Sequence, residues 1–162
     1  MIPDEAIGAI KKTLASERSL SLYNTHTGEK LKSVYWSKGK YVPQALVEVN
    51  RLLRDHRTGD VKKIDPSLLD LLHVLHRKLD SRTPFHIISG YRSARTNSFL
   101  RQRHQGVAKN SLHTIGKAVD IYLPGRNLKT LLTAAVDLKG GGVGYYPESN
   151  FVHVDVGRVR YW

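Results

Sequence analysis

Two short segments carry the residue types from which a hydrolytic site can be built. Ser111–Asp120 (SLHTIGKAVD) and Phe151–Gly157 (FVHVDVG) set His113, Asp120, His153 and Asp155 among otherwise strand-like residues. Imidazole nitrogen and carboxylate oxygen are ligands that Zn²⁺ accepts, and three protein ligands with an open fourth position form the kind of zinc site that activates water. Side chains alternate along a strand, so in the run from Lys117 the residues Ala118, Asp120 and Tyr122 share one face, while Val119, Ile121 and Leu123 take the apolar one. Phe151, His153 and Asp155 likewise oppose Val152, Val154 and Val156. Gly116 lets the chain turn and returns His113 over the start of the first strand. Two neighbouring strands would then present His113, Asp120 and His153 around one ion, on accessible faces. Spacing by itself is equally met by hydrogen-bonded structural histidines and a capping aspartate.

The elements that must position these residues follow from periodicity and turn chemistry. Ala6, Ile7, Ile10 and Leu14 recur at helical spacing and predict a short amphipathic helix over Asp4–Ser16. Leu20–Trp36 predicts two alternating strands about a turn at Asn24–Gly28, with a second turn at Ser37–Lys40. Pro43 opens a helix with the stripe Ala45, Leu46, Val49, Leu52 and Leu53, expected to stop near Thr58-Gly59-Asp60. Asp65-Pro66-Ser67 opens another that buries Leu68, Leu69, Leu71, Leu72, Leu75 and Leu79. Phe85–Ser89 predicts a buried strand, 95–104 an arginine-rich polar helix, 117–123 a strand and 128–138 a helix. Gly142–Tyr145 and Phe151–Val156 predict an antiparallel pair. The class is α+β, a small antiparallel sheet packed with helices. One domain over 1–162 is expected, with 1–18 as an N-terminal helical leader.

Composition excludes several classes of function. The chain of 162 residues contains no cysteine, which removes zinc fingers, thiol nucleophiles and disulfide frameworks. No run approaches the roughly 18 to 20 apolar residues of a membrane span, and the first residues lack the basic and apolar regions of a secretory signal. The Gly140-Gly141-Gly142 run has neither a Walker lysine nor a following helix, so it is a turn and not a phosphate cradle. No serine sits in a nucleophile elbow. A net charge of +12 implies attraction to a polyanion: nucleic acid, an anionic membrane surface or an acidic cell-wall polymer. His73 and His76 share a helix face without a third ligand, and His26, His56, His86 and His104 are scattered. Ser89, Ser93, Ser111 and Thr114 are first of all turn and supporting hydrogen-bond groups.

The order Ser89–Ser93 (SGYRS), Asn110–Asp120 (NSLHTIGKAVD) and Phe151–Asp155 (FVHVD) resembles the zinc peptidases of the M15 type, which share the Hedgehog/D-Ala-D-Ala peptidase fold. Within them it is most similar to the DUF882 branch, which includes bacterial murein endopeptidases. Leu22–Lys30 (LYNTHTGEK) and Asp55–Gly59 (DHRTG) also resemble that branch, so nearly the whole chain participates.

The resemblance implies that His113, Asp120 and His153 ligate Zn²⁺, in a His-x₆-Asp and distant-His arrangement. It implies that Arg92 binds substrate and steadies the developing oxyanion, a role suited to a fixed cation with several donors. Tyr91 and Ser111 are expected beside the substrate with Arg92, and Tyr145 and Tyr146 are further aromatics for the cleft. Many relatives carry a Glu three residues, or a His two residues, before the last ligand. Here those positions are Asn150 and Phe151, neither of which can take a proton from water. Asp155 is the nearest substitute, as general base or as an orienter of His153; a further register makes Asp155 the ligand and His153 the base.

The implied activity is hydrolysis of peptide cross-links in peptidoglycan, with the L,D bond between diaminopimelate residues as one target and D,D-endopeptidase or carboxypeptidase action as another. Peptidoglycan or muropeptides are then the partner, nucleic acid is not, and the implied place of action is the periplasm or beyond. Oligomeric state carries no signal in the sequence. Two other readings stand beside this one: a nucleic-acid-binding module, suggested by Arg92, Arg95, Arg101 and Arg103, and a non-catalytic wall-binding domain of the same fold, suggested by Asn150 and Phe151.

Overall fold

A computed structural model of the chain describes residues 17–162. The helix expected over Asp4–Ser16 lies outside the described residues, as does most of the expected leader. Strands β1 (Arg18–Asn24), β2 (Lys30–Ser37) and β3 (Lys40–Tyr41) come first, then helices α1 (Pro43–Leu52) and α2 (Pro66–Lys78). Strand β4 (Phe85–Ser89), helix α3 (Ala94–Arg103), a 3₁₀ turn at Leu112–Ile115, strand β5 (Ala118–Tyr122) and helix α4 (Leu128–Leu138) follow. Strands β6 (Gly142–Tyr146), β7 (Phe151–Asp155) and β8 (Arg160–Tyr161) close the order.

All eight strands belong to one sheet, in the order β3-β2-β1-β4-β5-β7-β6-β8. The class is α+β, as expected, but the sheet is larger than a small antiparallel one and is mixed. β1 runs parallel to β4, because α1 and α2 return the chain to the same end before β4 begins. β6 runs parallel to β8.

Alternation sorts the two faces. Val119 and Ile121 of β5 and Val152 and Val154 of β7 are buried in the core. They pack there with Val49, Leu52 and Leu53 in and just after α1, with the α2 leucines Leu68, Leu69, Leu72 and Leu75, and with Leu131 of α4. Asp120 and His153 sit on the opposite face of the same two strands, directly paired in register. The core holds these strands from behind and leaves the front to polar groups.

Helix α1 stops earlier than expected. Its last carbonyls are taken by other partners: the Asn24 side-chain amide, from the hairpin turn, donates to the Leu52 carbonyl at 2.9 Å. Asp55 then accepts from its own downstream backbone at Arg57 N (2.9 Å) and Thr58 N (3.4 Å). A short carboxylate that hydrogen-bonds nearby backbone in a turn competes with continued helix. α2 begins as its sequence suggests, with Asp65 accepting from Ser67 N at 2.9 Å and Pro66 in the first turn.

Candidate metal centre

His113 lies in the 3₁₀ turn, which Ser111 opens by accepting from His113 N at 3.3 Å. Gly116 ends the turn at a φ of 71°, and a Cβ there would collide with the Lys63 carbonyl. Its own carbonyl accepts from Asp65 N at 2.9 Å, and the His113 carbonyl accepts from Arg92 N at 3.2 Å. The turn is thus pinned by both segments that flank it in space. β5 then delivers Asp120, and β7 delivers His153 opposite it.

The three side chains converge. His113 Nε2 is 3.2 Å from Asp120 Oδ1 and 3.2 Å from His153 Nδ1, and His153 Nδ1 is 2.9 Å from Asp120 Oδ1. The outer ring nitrogens fix the tautomers. His113 Nδ1 lies 2.7 Å from the Gly90 carbonyl, which can only accept, so Nδ1 carries the hydrogen. His153 Nε2 lies 3.0 Å from Asp155 Oδ2, which likewise accepts. With both rings neutral, two lone pairs and a carboxylate oxygen point at one another and nothing between them donates.

Three converging acceptors repel unless a cation joins them. Tetrahedral ligands at about 2.0–2.1 Å from a zinc ion are separated by edges of about 3.3 Å, close to the distances seen here. The donor set and its spacing therefore fit a divalent metal of the zinc type. Each outer nitrogen is also held by a carbonyl or a carboxylate, the arrangement that orients metal-binding histidines.

Contrary to the expectation of accessible faces, Asp120 is 7% and His153 8% exposed, and His113 is fully buried. Burial pushes the His113 pKa down, against the pull of Asp120. At His153 burial also opposes the charged ring, but the hydrogen bonds to Asp120 and Asp155 outweigh it and the pKa rises. Burial would raise the Asp120 pKa, yet the imidazoles, when a proton occupies the place between them and the carboxylate, hold it below the usual carboxylate range. The field that draws a proton to His153 Nδ1 draws a metal ion to the same place.

Asp155 does share the strand face of His153, but it lies on the far side of the ring from the three converging atoms. Oδ2 accepts from His153 Nε2 and from Arg160 at 2.8 Å; Oδ1 accepts from Gly142 N at 2.9 Å, Gly157 N at 2.8 Å and the other Arg160 terminal nitrogen at 3.2 Å. The carboxylate is completely buried. Burial disfavours its charge, but His153, Arg160 and the two backbone donors more than compensate and hold the pKa well below the usual range. The expected role of general base calls for a free oxygen near the three converging atoms; here both oxygens are hydrogen-bonded and the carboxylate meets the outer nitrogen of His153. It also stands outside the group of ligating atoms formed by His113, Asp120 and His153.

Arg92 reaches the site from the segment between β4 and α3. Burial lowers its pKa and the Asp120 charge raises it, and its Nε is buried without a hydrogen-bond partner among the described residues. Its position is set by Ser93, which caps α3 by accepting from Thr96 N at 3.2 Å and donates its own N–H to buried Asp55 Oδ2 at 2.9 Å. Tyr91 and Ser111 are placed differently from Arg92. Tyr91 packs partly buried against the core with its N–H on the Leu53 carbonyl at 2.7 Å, and Ser111 is engaged as the cap of the His113 turn.

Two residues at the site lie outside the motifs legible in the sequence. Arg160 forks onto both oxygens of Asp155, and Trp162 lays its indole 5.2 Å from the His153 ring. The signal for both was present in β6. Gly144 pairs with His153, and a Cβ there would come within 2.6 Å of the Trp162 ring; a Cβ on Gly142 would come within 2.5 Å of Asp155 Oδ2. Alternate glycines across from a ligand strand clear room for side chains arriving from elsewhere.

A buried His/Asp/His cluster on the polar face of a mixed sheet, with an arginine beside it, is a candidate metal site of the kind a metallopeptidase requires. The family profile described as peptidoglycan L,D-endopeptidase MepK matches residues 12–162, and the chain belongs to that family of hydrolytic metallopeptidases. Peptidoglycan L,D-endopeptidase MepK of Escherichia coli strain K12 is 46% identical over 145 residues, covering 90% of this chain and 80% of the relative. The protein of the same name from Shigella flexneri matches to the same extent. The probable peptidoglycan L,D-endopeptidase MepK of Haemophilus influenzae is 42% identical over 146 residues, covering 90% of this chain and 78% of the relative.

Proposed function

We propose that the protein is a zinc-dependent peptidoglycan endopeptidase that hydrolyses L,D cross-links between stem peptides, the bond between two diaminopimelate residues, in the periplasm. The observation that carries this reading is the convergence of His113 Nε2, Asp120 Oδ1 and His153 Nδ1 with both imidazole protons turned outward. The L,D specificity is supported by the identity to relatives bearing that name.

His113, Asp120 and His153 would hold the ion. Zinc supplies polarisation of the scissile carbonyl and lowers the pKa of water to about 7. The protein's own groups do the rest. Gly90 and Asp155 keep each imidazole in the tautomer that presents a lone pair. Asp155 acts through His153 as its orienter, since Arg160 and two backbone N–H groups occupy the oxygens a base would need. Arg92 brings an unspent donor and a fixed positive charge to the oxygen that gains charge during attack. The basic surface favours stem peptides, whose carboxylates are anionic. No helix among the described residues is long and apolar enough to cross a membrane.

The test is incubation of the purified protein, metal-loaded or chelator-treated, with muropeptides of defined cross-link, and identification of the products by mass. Chelator-sensitive release of monomers from L,D-linked dimers is expected, with D,D-linked dimers left intact. Zinc binding without cleavage of either dimer points instead to the non-catalytic wall-binding reading.

A further inference from the structure

We infer that Tyr146 is a catalytic residue of the cleavage proposed above, its hydroxyl donating a hydrogen bond to the scissile carbonyl oxygen as that oxygen becomes anionic. The inference rests on the proposed function for its substrate and on the following geometry for the residue.

Asp120 pairs with His153, and His153 pairs with Gly144, so these three positions project to one side of the sheet. Along β6 the residue two places on, Tyr146, projects to that side as well. Tyr145 falls on the other side, packed against the core. Because Gly144 is bare, the Trp162 indole fills the space beside His153 and carries its N–H to the Tyr146 hydroxyl at 2.8 Å. An indole N–H only donates, so the phenolic oxygen is the acceptor and its own proton is left over. That proton has no acceptor among the described residues. The phenol ring is stacked on Phe151 with centroids 4.6 Å apart, which fixes the plane in which the hydroxyl turns. Arg92, whose main-chain N–H is held by the His113 carbonyl at 3.2 Å, also has an Nε without a partner among the described residues.

The site therefore divides by hydrogen-bond polarity. Its floor presents three acceptors, which suit a cation. Beside it stand two donors with no acceptor among the described residues, the Arg92 Nε and the Tyr146 hydroxyl, which suit an oxygen that acquires negative charge. Directed donors of this kind stabilise the tetrahedral stage of acyl transfer, and removal of one costs about 10²- to 10³-fold in kcat. Trp162 is a positioning residue, acting through Tyr146.

Tyr146→Phe keeps the ring on Phe151 and removes only the hydroxyl. Expected is a fall in kcat of about 10²-fold with KM, metal content and melting temperature as in the parent protein. A phosphinic pseudopeptide, with a charged P–O⁻ group in place of the scissile carbonyl, should bind more weakly to the variant by a similar factor, while an uncleaved muropeptide binds equally to both. Trp162→Phe should lose less, and adding it to Tyr146→Phe should lose nothing further. Equal affinity of parent and Tyr146→Phe for the phosphinic probe overturns the inference, as does a loss of activity that tracks loss of metal or of folded protein. Should the parent bind metal yet leave every cross-link intact, the proposed function fails, and the probe affinities still decide the role of the hydroxyl.

Discussion

Asp120 and Asp155 flank the same imidazole and differ in what else they touch. Both are buried, both sit on paired strands, and both are held below the ordinary carboxylate range. Asp155 receives a guanidinium fork and two backbone N–H groups besides His153, so its charge is neutralised by the fold itself. Asp120 meets two ring nitrogens whose protons are spent elsewhere. A buried charge matched from within holds its neighbours in place, whereas one faced by imidazole lone pairs is completed by a proton or a metal ion from outside.

The largest effect is expected at Asp120. Asp120→Asn should abolish cleavage and leave the purified protein without bound zinc, as read by elemental analysis and muropeptide digestion; retention of stoichiometric metal would contradict the ligand role. Asp155→Asn should act less severely, since supporting partners of metal ligands typically contribute about 10- to 100-fold in metal affinity or activity. Saturating zinc should then restore a measurable part of the activity, which a residue required to take a proton from water would not allow.

Asp55 extends the contrast as a third buried carboxylate, matched by neutral donors and remote from both imidazoles. Burial opposes its charge, but Thr96, Ser93 and Arg57 as hydrogen-bond donors bring its pKa down to about 2. A depressed carboxylate pKa adds stability above the unfolded value near 4 and loses it as pH falls through the folded value. Asp55→Asn should therefore cost about 2 kcal/mol at pH 7, with parent and variant converging between about pH 4 and pH 2 in denaturant titrations. Metal affinity should change least of the three, and kcat should fall modestly through displacement of Ser93 and Arg92.

These differences also mark where sequence reasoning reaches its limit. The hairpin, the start of α1, the leucine-rich α2, β4, β5 and the β6–β7 pair follow from periodicity and turn chemistry, because in each the apolar face and its turn residues coincide. The placing of His113, Asp120 and His153 together came from strand alternation and motif resemblance. Alternation assigned Asp155 to the correct face of β7 but carries no information on which ring nitrogen of His153 it meets, and that decides whether it faces the opening. Arg160 escapes periodicity for a related reason: its partner lies five residues back across a loop, a distance at which no helical or strand period operates, and only the bare Gly142 marks the room it needs. Trp162 depends on the parallel pairing of β8 with β6, a contact set by tertiary structure. The early end of α1 was likewise decided by a distant residue, Asn24, and not by the local sequence.

The pinning of the His113 turn has a consequence for timing. Its supports come from Gly90, Arg92 and Asp65, its partner ligands from β5 and β7, and the clamp behind His153 from the segment after β7. Such contacts of long sequence separation form late, after the loop-closure entropy between them has been overcome. A growing or partly folded chain thus offers only scattered single side chains, and the three candidate ligands converge only with the last strands. If the cluster holds a metal ion, its acquisition then belongs to the end of folding, where the compartment of the finished protein sets which ion it meets.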